Sequence, residues 1–193
     1  MIGDEAQLIQ RLKSGEASAF KELVENYQRR VFALAYDMTG NVQDAEDLSQ
    51  ETFIRVFHGI HKFRGDSQLS SWIYRIVVNL GINRRRKKSL SEMELRERFE
   101  DQNHPGNTIA SSEHDPERAT EAALLRARLR QALERLSEKQ RTIFMLRHDH
   151  DLSVNAISEI MRISEGTVKS QLFRALRKLQ KELAFYKADL MPE

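Results

Sequence analysis

Apolar residues recur at three- and four-residue intervals along most of this chain, and no alternating Val/Ile/Thr segment reaches strand length. Val42, Ala45, Leu48, Thr52 and Val56 form one stripe, extended by Phe53 and Phe57. Trp72, Ile73, Ile76, Val77 and Leu80 form a second, and Val168, Leu172, Ala175, Leu176 and Leu179 a third. A period near 3.6 predicts amphipathic helices, and the abundance of Ala, Leu, Glu, Arg and Gln favours them. The pattern places helices at 4–13, 17–39, 42–60, 68–88, 119–136, 138–149, 153–161 and 165–187. Gly15 and Gly40 stop the first two, and Asn41 caps the third. Ser137 and Gln140 have capping-box spacing, and Ser153 and Ser164 can cap the last two helices.

The periodicity lapses between Ser89 and Asp115, which holds Pro105 and Gly106, with Pro116 just after. Too little apolar surface is present there to offset the entropy of ordering the backbone. The fold class predicted is all-α: two small helical domains, 1–88 and 119–187, joined by a flexible acidic linker, 89–118, with at most a short helix at 91–99.

Charge sharpens this division. The net charge of +2 hides segregated blocks: −4 over 1–60, +7 over 61–90, −5 over 91–120 and +4 over 121–193. Such blocks suit one surface for a polyanion and others for different partners. The absence of Cys excludes disulfides, thiolate metal sites and cysteine nucleophiles, and points to a reducing compartment. No apolar run approaches the ~20 residues that span a bilayer, and Met1 to Phe20 lacks a basic start followed by an apolar stretch. A cytoplasmic protein without membrane insertion is expected.

Leu152, Ile157, Ile160 and Met161 share one face of a short helix, and a four-residue turn leads into the next. Two helices joined so tightly cross steeply, in helix-turn-helix geometry. Opposite the apolar stripe of the second helix lie Lys169, Ser170, Phe173, Arg174, Arg177, Lys178 and Lys181. That face suits duplex DNA, with an aromatic ring among cations matched to a thymine methyl or a sugar. Arg162 occupies a turn position where Gly is common, and Ser158 one where Ala is common.

In the helix 42–60, Asp44, Asp47, Gln50, Glu51 and Ile54 face outward, an acidic face with one aliphatic, suited to a partner helix. In the helix 68–88, Arg75, Asn79 and Asn83 lie on one line and lead to Arg84-Arg85-Arg86-Lys87-Lys88. Carboxamides can read the edges of unpaired bases while cations hold phosphates. Tyr74 is the expected exposed aromatic here and Trp72 a core residue.

Ala45 to Phe53, together with Phe63-Arg64-Gly65-Asp66-Ser67 and Trp72 to Asn79, resembles the promoter-binding half of bacterial sigma factors. The close likeness is to the extracytoplasmic function group of the sigma-70 family, which has only sigma-2 and sigma-4 domains and a linker. It covers nearly the whole chain. The resemblance implies promoter DNA and core RNA polymerase as partners, through the β′ clamp helices and the β flap, and implies an anti-sigma factor. By matching position, Asp47, Leu48, Gln50, Glu51 and Ile54 would meet polymerase. Phe63, Arg64, Asp66 and Ser67 would rim a pocket for a flipped −10 base, with Tyr74, Arg75, Asn79, Asn83, Arg84 and Arg85 along the strand. Lys169, Ser170, Phe173, Arg174 and Arg177 would read the −35 duplex.

Two other classes compete. A stand-alone helix-turn-helix regulator would bind duplex DNA without polymerase. A metal-dependent nuclease would need ligands, but the pairs His58/His61 and His148/His150 bring no evident third ligand, and the carboxylates of 44–51 spread around their helix axis. No enzymatic activity and no cofactor are expected.

Overall fold

The computed structural model describes residues 2–100, 129 and 131–189, with side chains over 5–91, 129 and 131–182. Among them there is no strand. Four helices, α1 (Ile2–Lys13), α2 (Ala17–Thr39), α3 (Val42–Gly59) and α4 (Leu69–Glu100), make the first half, with a 3-10 turn at Ile60–Lys62. A helical stretch at 131–134 precedes α5 (Glu138–His148), α6 (Val154–Met161) and α7 (Glu165–Asp189). No helix is long and apolar enough to cross a membrane among the described residues.

The helix ends follow their local chemistry. Gly40 closes α2 in the left-handed region at φ 79°, donating its N–H to the Tyr36 carbonyl. The Asn41 side chain accepts from the Asp44 N–H at 2.8 Å to start α3. The Ser137–Gln140 capping box is present in both directions, and the Ser153 and Ser164 hydroxyls accept the amides of Ala156 and Thr167. Each of these side-chain caps satisfies a donor that the first helical turn leaves without an internal partner, and Gly40 satisfies a carbonyl of the last turn. Arg11 ties α1 to α2 through Glu16 and Glu22, and its hydrogen bonds, then one from Ser18, hold the Glu16 carboxyl down at about 2.

Packing fixes how α4 is rotated. Leu69, Ile73, Val77, Val78 and Leu80 are buried with Val31, Leu34 and Ala35 of α2 and Ala45, Leu48 and Val56 of α3. The start of α4 is capped from far away, because Glu5 accepts the Leu69 N–H at 3.0 Å. In the second half, Ile143, Leu146, Ile157, Ile160 and Val168 join the same buried cluster, so α6 lies against α4. A second, smaller cluster holds Ala132, Leu136, Ala175 and Leu179.

Several expectations are corrected. The fourth helix does not end at 88: it continues through Glu100, across residues assigned to the linker. Residues 82–100 contain neither Gly nor Pro and are rich in strong helix formers, so a scarcity of apolar residues does not stop the helix there. The rest of that linker lies outside the described residues, as does most of the helix expected at 119–136. Val42 and Phe57, expected in the core from their spacing, are 56% and 53% exposed. Val42 is the first residue of its helix, and Phe57 instead meets the edge of Phe20, with ring centroids 5.1 Å apart. Leu176 is likewise more exposed than its stripe implies.

Gly81 lets α4 pack tightly on Met38 of α2, since a Cβ there would lie 2.6 Å from the Met38 sulfur and 3.2 Å from its Cβ. Gly81→Val is expected to destabilise the chain by about 1–3 kcal/mol through overpacking, read as a lower urea midpoint with an unchanged slope; an unchanged midpoint would mean the two helices separate freely.

Candidate nucleic-acid interface

Burial of Val168, Ala175 and Leu179 turns the opposite side of α7 outward. Lys169, Ser170, Phe173, Arg174 and Arg177 all lie on that exposed side. Phe173 is 61% exposed, and the Arg177 guanidinium stands 5.3 Å from its ring centroid. The cation over the ring face presents an aromatic plate with a positive rim. Lys169 pairs with Glu165 one turn back at 3.7 Å, an exposed pair worth little in water. Between α6 and α7, Arg162 sits at φ 52° and donates its N–H to the Ser158 carbonyl. It adopts the left-handed conformation that glycine takes most easily.

On α3, Asp47, Gln50 and Ile54 are exposed and share one face. Glu51 is half-buried and bridges Arg55 at 2.7 Å and Arg84 of α4 at 3.6 Å. Leu48, expected at the polymerase surface, is fully buried and supports that face from beneath. The single-residue spacing that put it in the motif also turns it inward.

The loop before α4 and the start of α4 are placed differently from expectation. Phe63 is only 5% exposed and packs on Trp72 with ring centroids 5.2 Å apart, so it anchors the loop from below. Arg64 and Asp66 are exposed and Ser67 is half-buried, on a turn made possible by Gly65 at φ 82°. Tyr74 is 7% exposed, and burial pushes its hydroxyl pKa above the usual range. It is a core residue, whereas Trp72 is half-buried. Helical periodicity alone could not order these two aromatics, because they sit on opposite edges of the apolar stripe, one on each side of Ile73.

Along α4, Asn79 and Asn83 are exposed, but Arg75 is engaged. Its Nε and Nη2 donate to the Glu159 carbonyl at 3.1 and 2.7 Å. That oxygen belongs to the last turn of α6, whose carbonyls lack partners within the helix. Burial, then the charge of Arg162, lowers the basicity of Arg75, with Glu159 opposing. Arg84 and Arg85 also have protein partners, the carbonyls of Asp44 at 3.2 Å and Met38 at 3.1 Å. Of the five-cation run, Arg86, Lys87 and Lys88 stay exposed. A cleft of about 350 Å³ opens there, lined by Thr39, Asp44, Arg84, Arg85, Lys87 and Lys88. The freer cations of the run are thus ones that motif matching did not single out. Among the described residues, no group of three or more His, Asp or Glu is placed to hold a metal ion.

The burial of Tyr74 makes a direct prediction. Tyr74→Ala is expected to cost about 3 kcal/mol of stability, while Tyr74→Phe leaves folding and strand selection intact. Lost strand selection in Tyr74→Phe at unchanged urea midpoint would return the hydroxyl to the DNA surface.

Family models match this chain in two places: Sigma-70 region 2 over residues 23–90, and Sigma-70, region 4, over residues 120–179. The chain is 34% identical to the ECF RNA polymerase sigma factor SigW of Bacillus subtilis, covering 91% of this chain and 94% of that one. It is 34% identical to the RNA polymerase sigma-H factor of Pseudomonas aeruginosa, over 92% of each chain. Among solved structures, its fold resembles CnrH in complex with the cytosolic domain of CnrY, with a TM-score of 0.65 at 22% identity, covering 96% of this chain and 98% of that one. It also resembles the sigma factor RpoE of Bartonella quintana, solved with the anti-sigma factor NepR, with a TM-score of 0.53 at 24% identity over 86% and 96% of the two chains.

Proposed function

We propose that this chain, which belongs to the extracytoplasmic function group of the sigma-70 family, reads a promoter at two places, with a different helix face at each. Its function is that of an RNA polymerase sigma factor: it directs the core enzyme to specific promoters and starts transcription there, and the chemistry of RNA synthesis belongs to the polymerase. The −35 duplex is read by Lys169, Ser170, Phe173, Arg174 and Arg177 on α7. The −10 strand is held by Arg64, Asp66 and Ser67 of the loop and by Arg75, Asn79 and Asn83 of α4, with Arg86, Lys87 and Lys88 on its phosphates. Asp47, Gln50 and Ile54 of α3 dock a polymerase helix. Residues 1–88 then form the unit that binds core and −10 DNA, and 119–187 the unit that binds −35 DNA.

The observation that carries this reading is Phe173: a ring 61% exposed, in contact with Arg177, on the solvent side of a helix whose other side is buried. A ring left in water without a structural role suits a surface completed by DNA. An anti-sigma factor is also proposed as a partner, supported by the likeness to RpoE, which was solved with one.

Run-off transcription from a library of randomised promoter fragments tests the reading. Transcripts that need both this chain and core polymerase, and that share two sequence elements, support it. Duplex binding at a palindrome with no transcription would instead indicate a stand-alone regulator.

Arg174→Ala is expected to weaken −35 recognition by about 1–3 kcal/mol, and Phe173→Ala to weaken it without shifting the urea midpoint. Uniform weakening over all sequences would make Arg174 a phosphate anchor. Asn79→Ala is expected to relax −10 discrimination in selected transcripts while core binding stays unchanged; equal loss of both would mark a folding defect. With Arg86, Lys87 and Lys88 as the three phosphate contacts, the salt slope of strand binding is expected to be about −2.

A further inference from the structure

The loop assigned to the −10 pocket is held at both ends, by anchors of different kinds. At its start, Phe63 is buried against Trp72 and donates its N–H to the Ile60 carbonyl at 3.1 Å. At its end, the chain enters α4 at Leu69, which is fully buried, and here the anchor comes from outside the loop. The Glu5 carboxylate of α1 accepts the Leu69 N–H at 3.0 Å. Between the anchors, Arg64, Gly65, Asp66 and Gln68 are exposed and Ser67 is half-buried.

A helix start is ordinarily capped by its own chain, with Ser, Thr, Asp or Asn at the N-cap. In α4 the N-cap is Gln68, whose carbonyl accepts the Trp72 N–H at 3.1 Å to open the helix. Gln is not among the residues that cap well, and Ser67 and Asp66, which have the chemistry, stand one and two positions too early. A carboxylate lent from 64 positions away supplies the acceptor and the negative charge that a helix start favours, and it does so without drawing on Asp66 or Ser67. Glu5 is itself well held. Leu8 and Leu12 of α1 are buried in the same cluster as Ile60, and α1 lies against the 3-10 turn that leads into the loop. Glu5 also lies close enough to Tyr27 of α2 to add to the effect of burial, which pushes that hydroxyl up to about 12. The helix α1 therefore reaches both the turn before the loop and the helix after it.

We propose that Glu5 is a positioning residue for promoter reading: without touching DNA, it fixes where the loop 63–68 joins α4, and so sets which base the −10 pocket accepts. The proposal rests on the reading that this loop rims the pocket for the flipped base. An extruded base is told from the others by hydrogen bonds to its edge, and such groups discriminate only when held within about 0.5 Å of the productive geometry. Gly65, at φ 82°, gives the middle of the loop backbone freedom that its two ends must restrain. With the Glu5 end released, Asp66 and Ser67 shift relative to α4 while Phe63 stays in place. Asn79 and the α7 face are aimed by buried stripes of their own helices and do not depend on this bond. The N-terminal helix is on this account a specificity element for one promoter position.

Run-off transcription by the holoenzyme tests this, on the selected promoter and on versions carrying each other base at each −10 position in turn. The chains compared are the parent, Glu5→Ala, Glu5→Gln, Glu5→Asp and the double variant Asp66→Ala, Ser67→Ala. Glu5→Ala is expected to lower base preference several-fold at one −10 position, with preferences at the other −10 positions and at −35 unchanged. Glu5→Gln is expected to keep the preference, because its amide oxygen still accepts the Leu69 N–H. Glu5→Asp, one methylene short, is expected to lose it as Ala does. The double variant, which alters the loop itself, is expected to lose preference at the same position. Equal loss of transcription on every promoter version in Glu5→Ala, as a weakened fold would give, overturns the positioning role. So do preferences that stay unchanged in Glu5→Ala while the double variant loses them, and so does a loss in Glu5→Gln as large as in Glu5→Ala; in these cases the loop reading stands. A double variant with every preference intact overturns the loop reading, and the proposal with it.

Discussion

One burial event sets the geometry of the first half of the molecule. Ile73, Val77 and Leu80 can enter the core between α2 and α3 only if α4 is rotated to one angle. At that angle, residues 75, 79 and 83 share a line on another side, since positions four apart in a helix lie almost above one another. Both ends of the buried stretch are then held by polar contacts from distant residues, Glu5 at the Leu69 amide and the Asp44 and Met38 carbonyls at Arg84 and Arg85. A row of carboxamides on such a helix is aimed by the hydrophobic core and does not depend on its own flexibility. The same rule orients α7, where Val168, Ala175 and Leu179 turn Phe173 and the cations to solvent.

The chain leaves favourable contacts unmade at the surfaces assigned to function. A fully exposed phenylalanine forgoes on the order of 2 kcal/mol of burial, and Phe173 forgoes much of that. Ile54 does the same on α3. Arg162 accepts a left-handed backbone where glycine would be easier, and faces Arg75. Each is a local departure from the most stable choice, and each lies on a surface assigned to DNA or polymerase or at the junction of the two halves.

Much of this was legible in the sequence, for identifiable reasons. Caps and stops at Gly40, Asn41, Ser137 and Ser153 depend on residues within four positions of each other, so local pattern suffices. The outward face of α7 follows from periodicity, and so do the exposed Asn79 and Asn83. Contacts between distant parts of the chain were not legible. No periodicity says that Glu159 will take Arg75, or that Met38 will take Arg85. Residues at the margin of a stripe were ambiguous as well. Tyr74 and Phe63 went inward because neighbouring residues cover them, while Val42 stayed out at the first turn of its helix and Phe57 meets Phe20 yet stays half in solvent. The end of α4 was misplaced because scarcity of apolar residues predicts exposure, which a helix of charged residues tolerates.

The central claim is that the N-terminal half captures a separated DNA strand through a helix face aimed by the core, and does so as part of the polymerase. Permanganate reactivity of thymines in the −10 element, on a promoter selected with the holoenzyme, tests it most directly. Reactive thymines are expected with core polymerase and this chain together, and none with either alone. Strand opening by the chain without polymerase, or a holoenzyme that transcribes with the −10 thymines still paired, would contradict the account.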